Sequence, residues 1–269
     1  MRPGRRQRRA PGARVRRAAR RRSAYARPVL RIIDARTGEP LPATSTRRGP
    51  ARVEVHAVRR DATQWRVLLV ADLLVRALEL DATPVWSLLT GPGADAAARA
   101  DAAALGVRPF EPAREPAPGP AAVARVLHIV REGDPLPDAP TIAVAPVASD
   151  DLVRIGSAEP SVVRLALLEH HHHARVVLDT AALDAARDTL KRWRRAVAGW
   201  ARQPSRPIPG PVRDRLRAAW EDDLDAPGVL DVLRRAETDP DLADGARFEV
   251  YAHTDRFLGL DLAGEVGSV

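Results

Sequence analysis

The chain has 269 residues, 45% of them apolar, and its 43 basic and 35 acidic residues give a formal net charge of +8. Residues 1–27 contain twelve arginines and no acidic residue, which leaves a net charge of −4 for the rest and excludes a uniformly basic nucleic-acid-binding protein. There is no cysteine, so disulfides, thiolate metal ligands and a thiol nucleophile are excluded as well.

The arginine-rich residues 1–27 are predicted to form a disordered tail, because like charges repel and little apolar surface offsets the entropy of ordering. The tail is either an arm that contacts RNA or another anionic surface, or a solvated extension added by an upstream start codon; we prefer the second interpretation. The chain has no run of about 18 apolar residues, so no contact with a membrane is expected. Together with the lack of cysteine, this predicts a cytoplasmic protein.

Folded sequence is predicted from about residue 28 onward. β-rich runs predict four strands, at 29–34, 51–58, 83–89 and 141–147. Between them, helices are predicted over 61–81, within 91–106 and over 121–133. From about residue 161 the pattern predicts only helices, at 161–173, 180–202, 211–222, 226–237 and 240–257. The predicted fold class is therefore α/β, with a Rossmann-like parallel sheet lobe in 28–160 and a C-terminal helical bundle in 161–269.

Five segments of the chain resemble, in the same order, segments of the cysteinyl-tRNA synthetase family and of the cysteine ligases of mycothiol synthesis. They are LRIIDARTGE (30–39), DAT (61–63) with the apolar helix after it, RADAAALGVRPFEP (99–112), SVVRLALLEHH (161–171) and WEDDLDAPGVLDVL (220–233). The resemblance implies a class I synthetase (HUP-type) sheet and ATP-dependent activation and ligation of cysteine. ATP, or a ligand resembling an aminoacyl-adenylate, is the binding partner that it implies.

The nucleotide site that this resemblance implies lacks its working residues. The family's HLGH tetrad corresponds to Gln64, Trp65, Arg66 and Val67, which with Asp61 and Thr63 form a vestigial site. Both histidines that stabilise charge on the transferred phosphate are replaced, and such stabilisation is often the largest catalytic contribution. We expect Arg66, at the glycine position, to crowd the place where adenine would bind.

Two further signatures of the family are also missing. Its KMSKS loop needs two lysines, and this chain has only Lys191. Its zinc site uses cysteine, and Val55 stands at the first ligand position, so zinc is not expected there. The stretch from about 113 to 160 is too short for the second half of that catalytic domain. No residue is therefore assigned a catalytic role.

Histidines and aspartates outside these segments suggest weaker candidates. In the run 170–173, His170 and His173, or His171 with Asp179, could share a helix face as metal ligands, although a solvated helix end is the preferred interpretation. A cation site at Asp222, Asp223 and Asp225 is weighed against a helix N-cap at Asp225, which we prefer. His56 and His128 are interpreted as hydrogen-bonded core histidines.

Three functions remain open from the sequence. The preferred hypothesis is a degenerate relative of the cysteine ligases, retained to bind a ligand or a protein partner. The second is an active ATP-dependent ligase in which Arg59, Arg60 and Arg66 replace the lost positive charge near a phosphate. The third is an RNA-binding accessory protein that uses residues 1–27.

Overall fold

The computed structural model describes residues 29–45, 49–111, 125–149 and 157–267. The arginine-rich residues 1–27, with the RNA contact considered for them, lie outside the described residues. Within the described ranges, every helix is too short or too polar to cross a lipid bilayer.

A four-stranded parallel sheet forms the first part of the fold. Its strands stand in the order β4-β3-β5-β6, and their bounds are β3 (Ala51–His56), β4 (Val85–Thr90), β5 (Arg125–Arg131) and β6 (Thr141–Val144). Val53, Val55, Leu127 and Ile129 are fully buried in its two central strands. In β3 these buried apolar residues alternate with partly buried polar ones, whereas β5 is buried at each of its last five residues, as is normal for a parallel strand covered on both faces. The Rossmann-like lobe predicted from the sequence is confirmed.

Helix α1 (Ala62–Leu80) connects β3 to β4 and packs against the sheet. Its apolar residues recur at helical spacing, and the sequence prediction for this segment is confirmed. A shorter helix, α2 (Ala96–Ala104), follows β4, and Gly106 after it has a φ of 67°, in the left-handed region that glycine adopts readily. Before the sheet, β1 (Arg31–Ile33) and β2 (Pro40–Pro42) form an antiparallel hairpin.

The prediction of a helix over 121–133 is wrong. Residues Arg125–Arg131 form the strand β5, which lies between β3 and β6. Its last five residues are all buried, so apolar and polar residues do not alternate along it, and periodicity alone does not separate such a strand from a buried helix. Two short strands, β7 (Val147–Ala148) and β8 (Val176–Val177), pair in parallel outside the main sheet.

The C-terminal part consists of helices, as the sequence predicts. Their bounds are α3 (Pro160–Leu168), α4 (Thr180–Trp200), α5 (Gly210–Glu221), α6 (Ala226–Thr238) and α7 (Asp244–Leu258). Trp193 and Trp200 of α4 both pack edge-on against Tyr251 of α7, with ring centroids 5.8 and 5.1 Å away. The predicted helix 161–173 is wrong at its end, because α3 stops at Leu168 and residues 169–175 form a loop before β8.

A buried ion pair joins α1 to the helical part. The side chains of Asp72 and Arg164 are 0% exposed, and the Arg164 guanidinium pairs with the Asp72 carboxylate. Arg164 also donates to the carbonyl of Leu258 at 2.5 Å, and Arg76 donates to Asp72 at 2.7 Å. One hydrophobic cluster runs through the sheet, α1 and the bundle. Because this cluster is continuous, it does not test the boundary between two domains that the sequence predicts near residue 160, and that boundary stays a prediction.

Candidate functional site

The N-terminus of α1 carries the residues that the sequence places in the vestigial nucleotide site. Asp61 caps the helix by accepting a hydrogen bond from the Gln64 amide at 2.9 Å. The same carboxylate accepts a hydrogen bond from Arg131, the last residue of β5, and lies 3.6 Å from Arg59. Asp61 therefore ties the start of α1 to the carboxyl end of the sheet, where ligands bind in open α/β folds.

Three other members of this set point into the protein. The Thr63 hydroxyl accepts a hydrogen bond from the Val147 amide at 3.0 Å, and the Gln64 side-chain oxygen accepts one from the Val58 amide at 3.3 Å. Val67 is fully buried in the core. The Thr63 hydroxyl and the Gln64 side-chain oxygen, which the resemblance would direct at a nucleotide, instead accept hydrogen bonds from backbone amides of the protein.

Arg66 is buried, with 1% of its surface exposed, and its guanidinium is surrounded by backbone carbonyl groups. It donates four hydrogen bonds, to the carbonyl oxygens of Ala145 (3.2 Å), Ala174 (2.5 Å), His170 (3.1 Å) and His171 (2.7 Å). Burial lowers the pKa of Arg66 to about 10. The side chain thus spans from α1 to the loop 169–175 and fixes that loop in place.

Trp65 faces a small surface cavity beside α2. Its indole N–H donates to Asp101 at 3.1 Å, and Arg60 holds the same carboxylate through two hydrogen bonds of 2.6 Å each. Burial alone would raise the pKa of Asp101, but the hydrogen bonds from Arg60 and Trp65 outweigh it and lower the pKa. The cavity between these side chains and Val163 has a volume of about 120 Å³. Pockets for small molecules usually measure about 300–1,000 Å³.

The position of the implied zinc ligand, Val55, is fully buried in β3. On the opposite face of the strands, His56 Nε2 lies 3.0 Å from His128 Nδ1, which lies 3.5 Å from the carboxylate of Glu54. Burial lowers the pKa of both histidines against the opposing effect of Glu54. The sequence does not predict this contact, because the segment of His128 is predicted as a helix, and only a strand places His128 beside Glu54.

The histidine run divides into two parts in the structure. His170 offers only its carbonyl to Arg66, whereas the Nε2 atoms of His171, His172 and His173 lie 3.8, 3.5 and 2.8 Å from one Asp223 carboxylate oxygen. The predicted pairing on one helix face does not occur, because α3 ends before the run. Asp179, the other proposed partner, caps α4 through the Ala182 amide at 2.8 Å.

The three aspartates 222, 223 and 225 also separate by role. Asp225 accepts a hydrogen bond from the Gly228 amide at 2.9 Å, so the predicted N-cap of α6 is confirmed. Asp222 lies on the surface and pairs with Arg31 at 3.2 Å. Only Asp223 faces the histidines, and the sequence offered no signal for that, since fifty residues separate it from His173.

Comparison with known proteins finds partial-length relatives of one kind, and no family model matches the chain. The relatives are named L-cysteine:1D-myo-inositol 2-amino-2-deoxy-alpha-D-glucopyranoside ligase. The protein from Parafrankia sp. is 49% identical over 73 residues, the one from Acidothermus cellulolyticus 38% over 112, and the one from Kytococcus sedentarius 35% over 125. These matches cover 27%, 42% and 41% of this chain. The chain spans 16%, 27% and 28% of the respective relatives. The resemblance to the cysteine-ligase family that the sequence predicts is confirmed.

Proposed function

We propose that this relative of the cysteine ligases does not activate cysteine and instead serves to bind a ligand or a protein partner. The observation that carries the proposal is Arg66. At the position of the family's glycine, this side chain is buried and donates four hydrogen bonds to the protein's own backbone. The segment implied to hold ATP is part of the core here.

Energetics favour this proposal over ATP binding at the start of α1. Displacing Arg66 would break four hydrogen bonds to backbone carbonyl groups, and a hydrogen bond to a charged group contributes about 1.5–3 kcal/mol. Such contributions are not additive, and we expect the loss of the whole set to cost about 3–5 kcal/mol. This cost would raise the Kd of a nucleotide by about 150- to 5,000-fold.

The remaining polar groups do not fit ATP either. The Gln64 side chain is only 3% exposed, its oxygen accepts from the Val58 amide, and Val67 is apolar and fully buried. A nucleotide phosphate would reach neither side chain without a rearrangement of the fold. The cavity of about 120 Å³ beside Trp65 is smaller than an ordinary small-molecule pocket.

An active ligase with a rebuilt site is the second candidate. It is favoured by Arg59 and Arg60, whose side chains are 71% and 64% exposed near the N-terminus of α1. Exposed arginines beside a helix N-terminus are suited to bind a phosphate. Against this candidate, both guanidinium groups already pair with carboxylates, those of Asp61 and Asp101.

Cysteine-dependent exchange of pyrophosphate into ATP separates the two candidates. We expect no exchange by the full chain, and no rise in Tm with millimolar ATP, cysteine or a non-hydrolysable cysteinyl-adenylate analogue. A ligand at 100 times its Kd would add about 2.7 kcal/mol of stability, which a thermal shift detects readily. Exchange that is lost in Arg60→Ala, and kept in the matched surface variant Arg195→Ala, would overturn the proposal.

A further inference from the structure

We propose that His171, His172, His173 and Asp223 form a binding site for one divalent transition-metal ion, with Zn²⁺ as the best match. The three histidines lie in the loop between α3 and β8, and Asp223 lies in the turn between α5 and α6. This site goes beyond the proposed function, and it shares no position with the thiolate zinc site that the sequence resemblance implies.

The ligand atoms lie close enough together to share one metal ion. All four lie within 4.8 Å of one another, and the three Nε2 atoms are 2.8–3.8 Å from the Asp223 oxygen. Zinc–nitrogen and zinc–oxygen bonds of about 2.0–2.1 Å separate tetrahedral ligands by about 3.4 Å, and the distances to the Asp223 oxygen are near that value.

Hydrogen bonds do not explain the position of His172. His173 lies within hydrogen-bonding distance of the Asp223 carboxylate, at 2.8 Å, and His171 has a hydrogen bond with the Asp223 backbone. The Nε2 of His172 is buried, its side chain only 3% exposed, and it has no hydrogen-bond partner among the residues that the structure describes. Buried ring nitrogens normally have a partner. A metal ion at the centre of the four groups would satisfy this nitrogen together with the other two.

Both sides of the cluster are held by the backbone around them. The Asp223 carboxylate accepts a hydrogen bond from the Ile33 amide at 2.8 Å, and the Asp223 amide donates to Arg31 at 2.9 Å. On the other side, the Ala145 amide donates to the His172 carbonyl at 2.9 Å, and Arg66 binds the carbonyls of three loop residues. Metal ligands in proteins depend on such outer contacts for their orientation.

The donor set selects the class of ion. Three imidazole nitrogens and one carboxylate oxygen suit Zn²⁺, and also Co²⁺ or Ni²⁺, whereas Mg²⁺ and Ca²⁺ prefer oxygen ligands alone. The side chains of His171 and His173 are 28% and 38% exposed, and those of His172 and Asp223 are nearly buried. One side of the ion would therefore face solvent, so it could exchange with ions in solution.

Cobalt titration of the full chain, prepared without an affinity tag and stripped by a chelator, tests this site. We expect one Co²⁺ per chain with the intense visible absorption of a tetrahedral ion, displaced by one equivalent of Zn²⁺. His173→Ala and Asp223→Asn should each weaken Zn²⁺ binding by at least about 100-fold, which is the upper end of the loss seen for outer-contact residues. His172→Ala should do the same, with its fold checked by circular dichroism.

His170→Ala is the matched control, because His170 adjoins the cluster but contributes only its carbonyl to the contacts around it. It should leave the affinity and the spectrum unchanged. If His170→Ala weakens Co²⁺ binding as much as His173→Ala does, or if Asp223→Asn has no effect, the ion binds to a run of histidines rather than to this site. Absence of a tetrahedral spectrum in the folded protein would likewise overturn the proposal.

Discussion

Replacing Arg66 with methionine should destabilise the folded protein by about 3–5 kcal/mol, because carbonyl groups inside the protein lose their donor, at about 1–3 kcal/mol for each group left unsatisfied. Methionine keeps most of the apolar stem, so the change isolates the guanidinium. The His171 carbonyl keeps the Ala174 amide as a donor, and such contributions are not additive, so the expected loss is smaller than the sum over four hydrogen bonds.

Lysine at the same position should give an intermediate loss, because its ammonium has three donors for four carbonyls. Chemical denaturation followed by circular dichroism measures the free energy of unfolding, and the Tm of Arg66→Met should fall by roughly 6–20 °C. Arg195→Met, at an exposed position in α4, is the control and should change stability by less than about 0.5 kcal/mol. If Arg66→Met is as mild as this control, the carbonyl contacts of Arg66 do not hold the loop 169–175.

Three further outcomes are expected from buried groups. Asp72→Asn should cost about 3–5 kcal/mol in urea denaturation because it leaves the Arg164 guanidinium buried without its counter-charge; a loss below 1 kcal/mol would contradict this. Burial lowers the pKa of His56 and His128, so the unfolded chain binds more protons, and stability should fall as pH drops from about 6.5 through the folded pKa values. In His128→Gln, the free energy of unfolding should depend less steeply on pH in this range. An unchanged slope would contradict the role given to His128. Tyr251→Phe removes a hydrogen bond of 3.0 Å to a buried carbonyl and should cost about 1 kcal/mol, measured by the same denaturation.

Local patterns in the sequence are sufficient to predict most helices and strands of the fold. Helix α1 follows from apolar residues at helical spacing after an aspartate cap, and α4 follows from the buried series that includes Trp193. The strand β5 could not be distinguished in the same way, since the residues around His128 show no alternation of apolar and polar side chains. Only its place between two other strands decides its conformation.

The candidate sites depended on contacts between distant parts of the chain. The sequence indicated that Arg66 fills a position where the family has glycine, but its carbonyl partners lie 79–108 residues away. Likewise, the sequence suggests the histidine run and Asp223 as parts of two different cation sites, and it does not indicate that they lie together. Asp223 comes fifty positions after His173 in the chain, and the turn that ends α3 early was not apparent from helical periodicity.

The contacts of Arg66 also bear on how this protein could change further in evolution. Glycine at position 66, the residue that the resemblance implies there, would remove the guanidinium from four carbonyls at once and place glycine inside a helix, which costs about 1 kcal/mol relative to alanine. This loss of stability would precede any gain in affinity for a nucleotide. A change from arginine to glycine would therefore need compensating replacements in the loop 169–175.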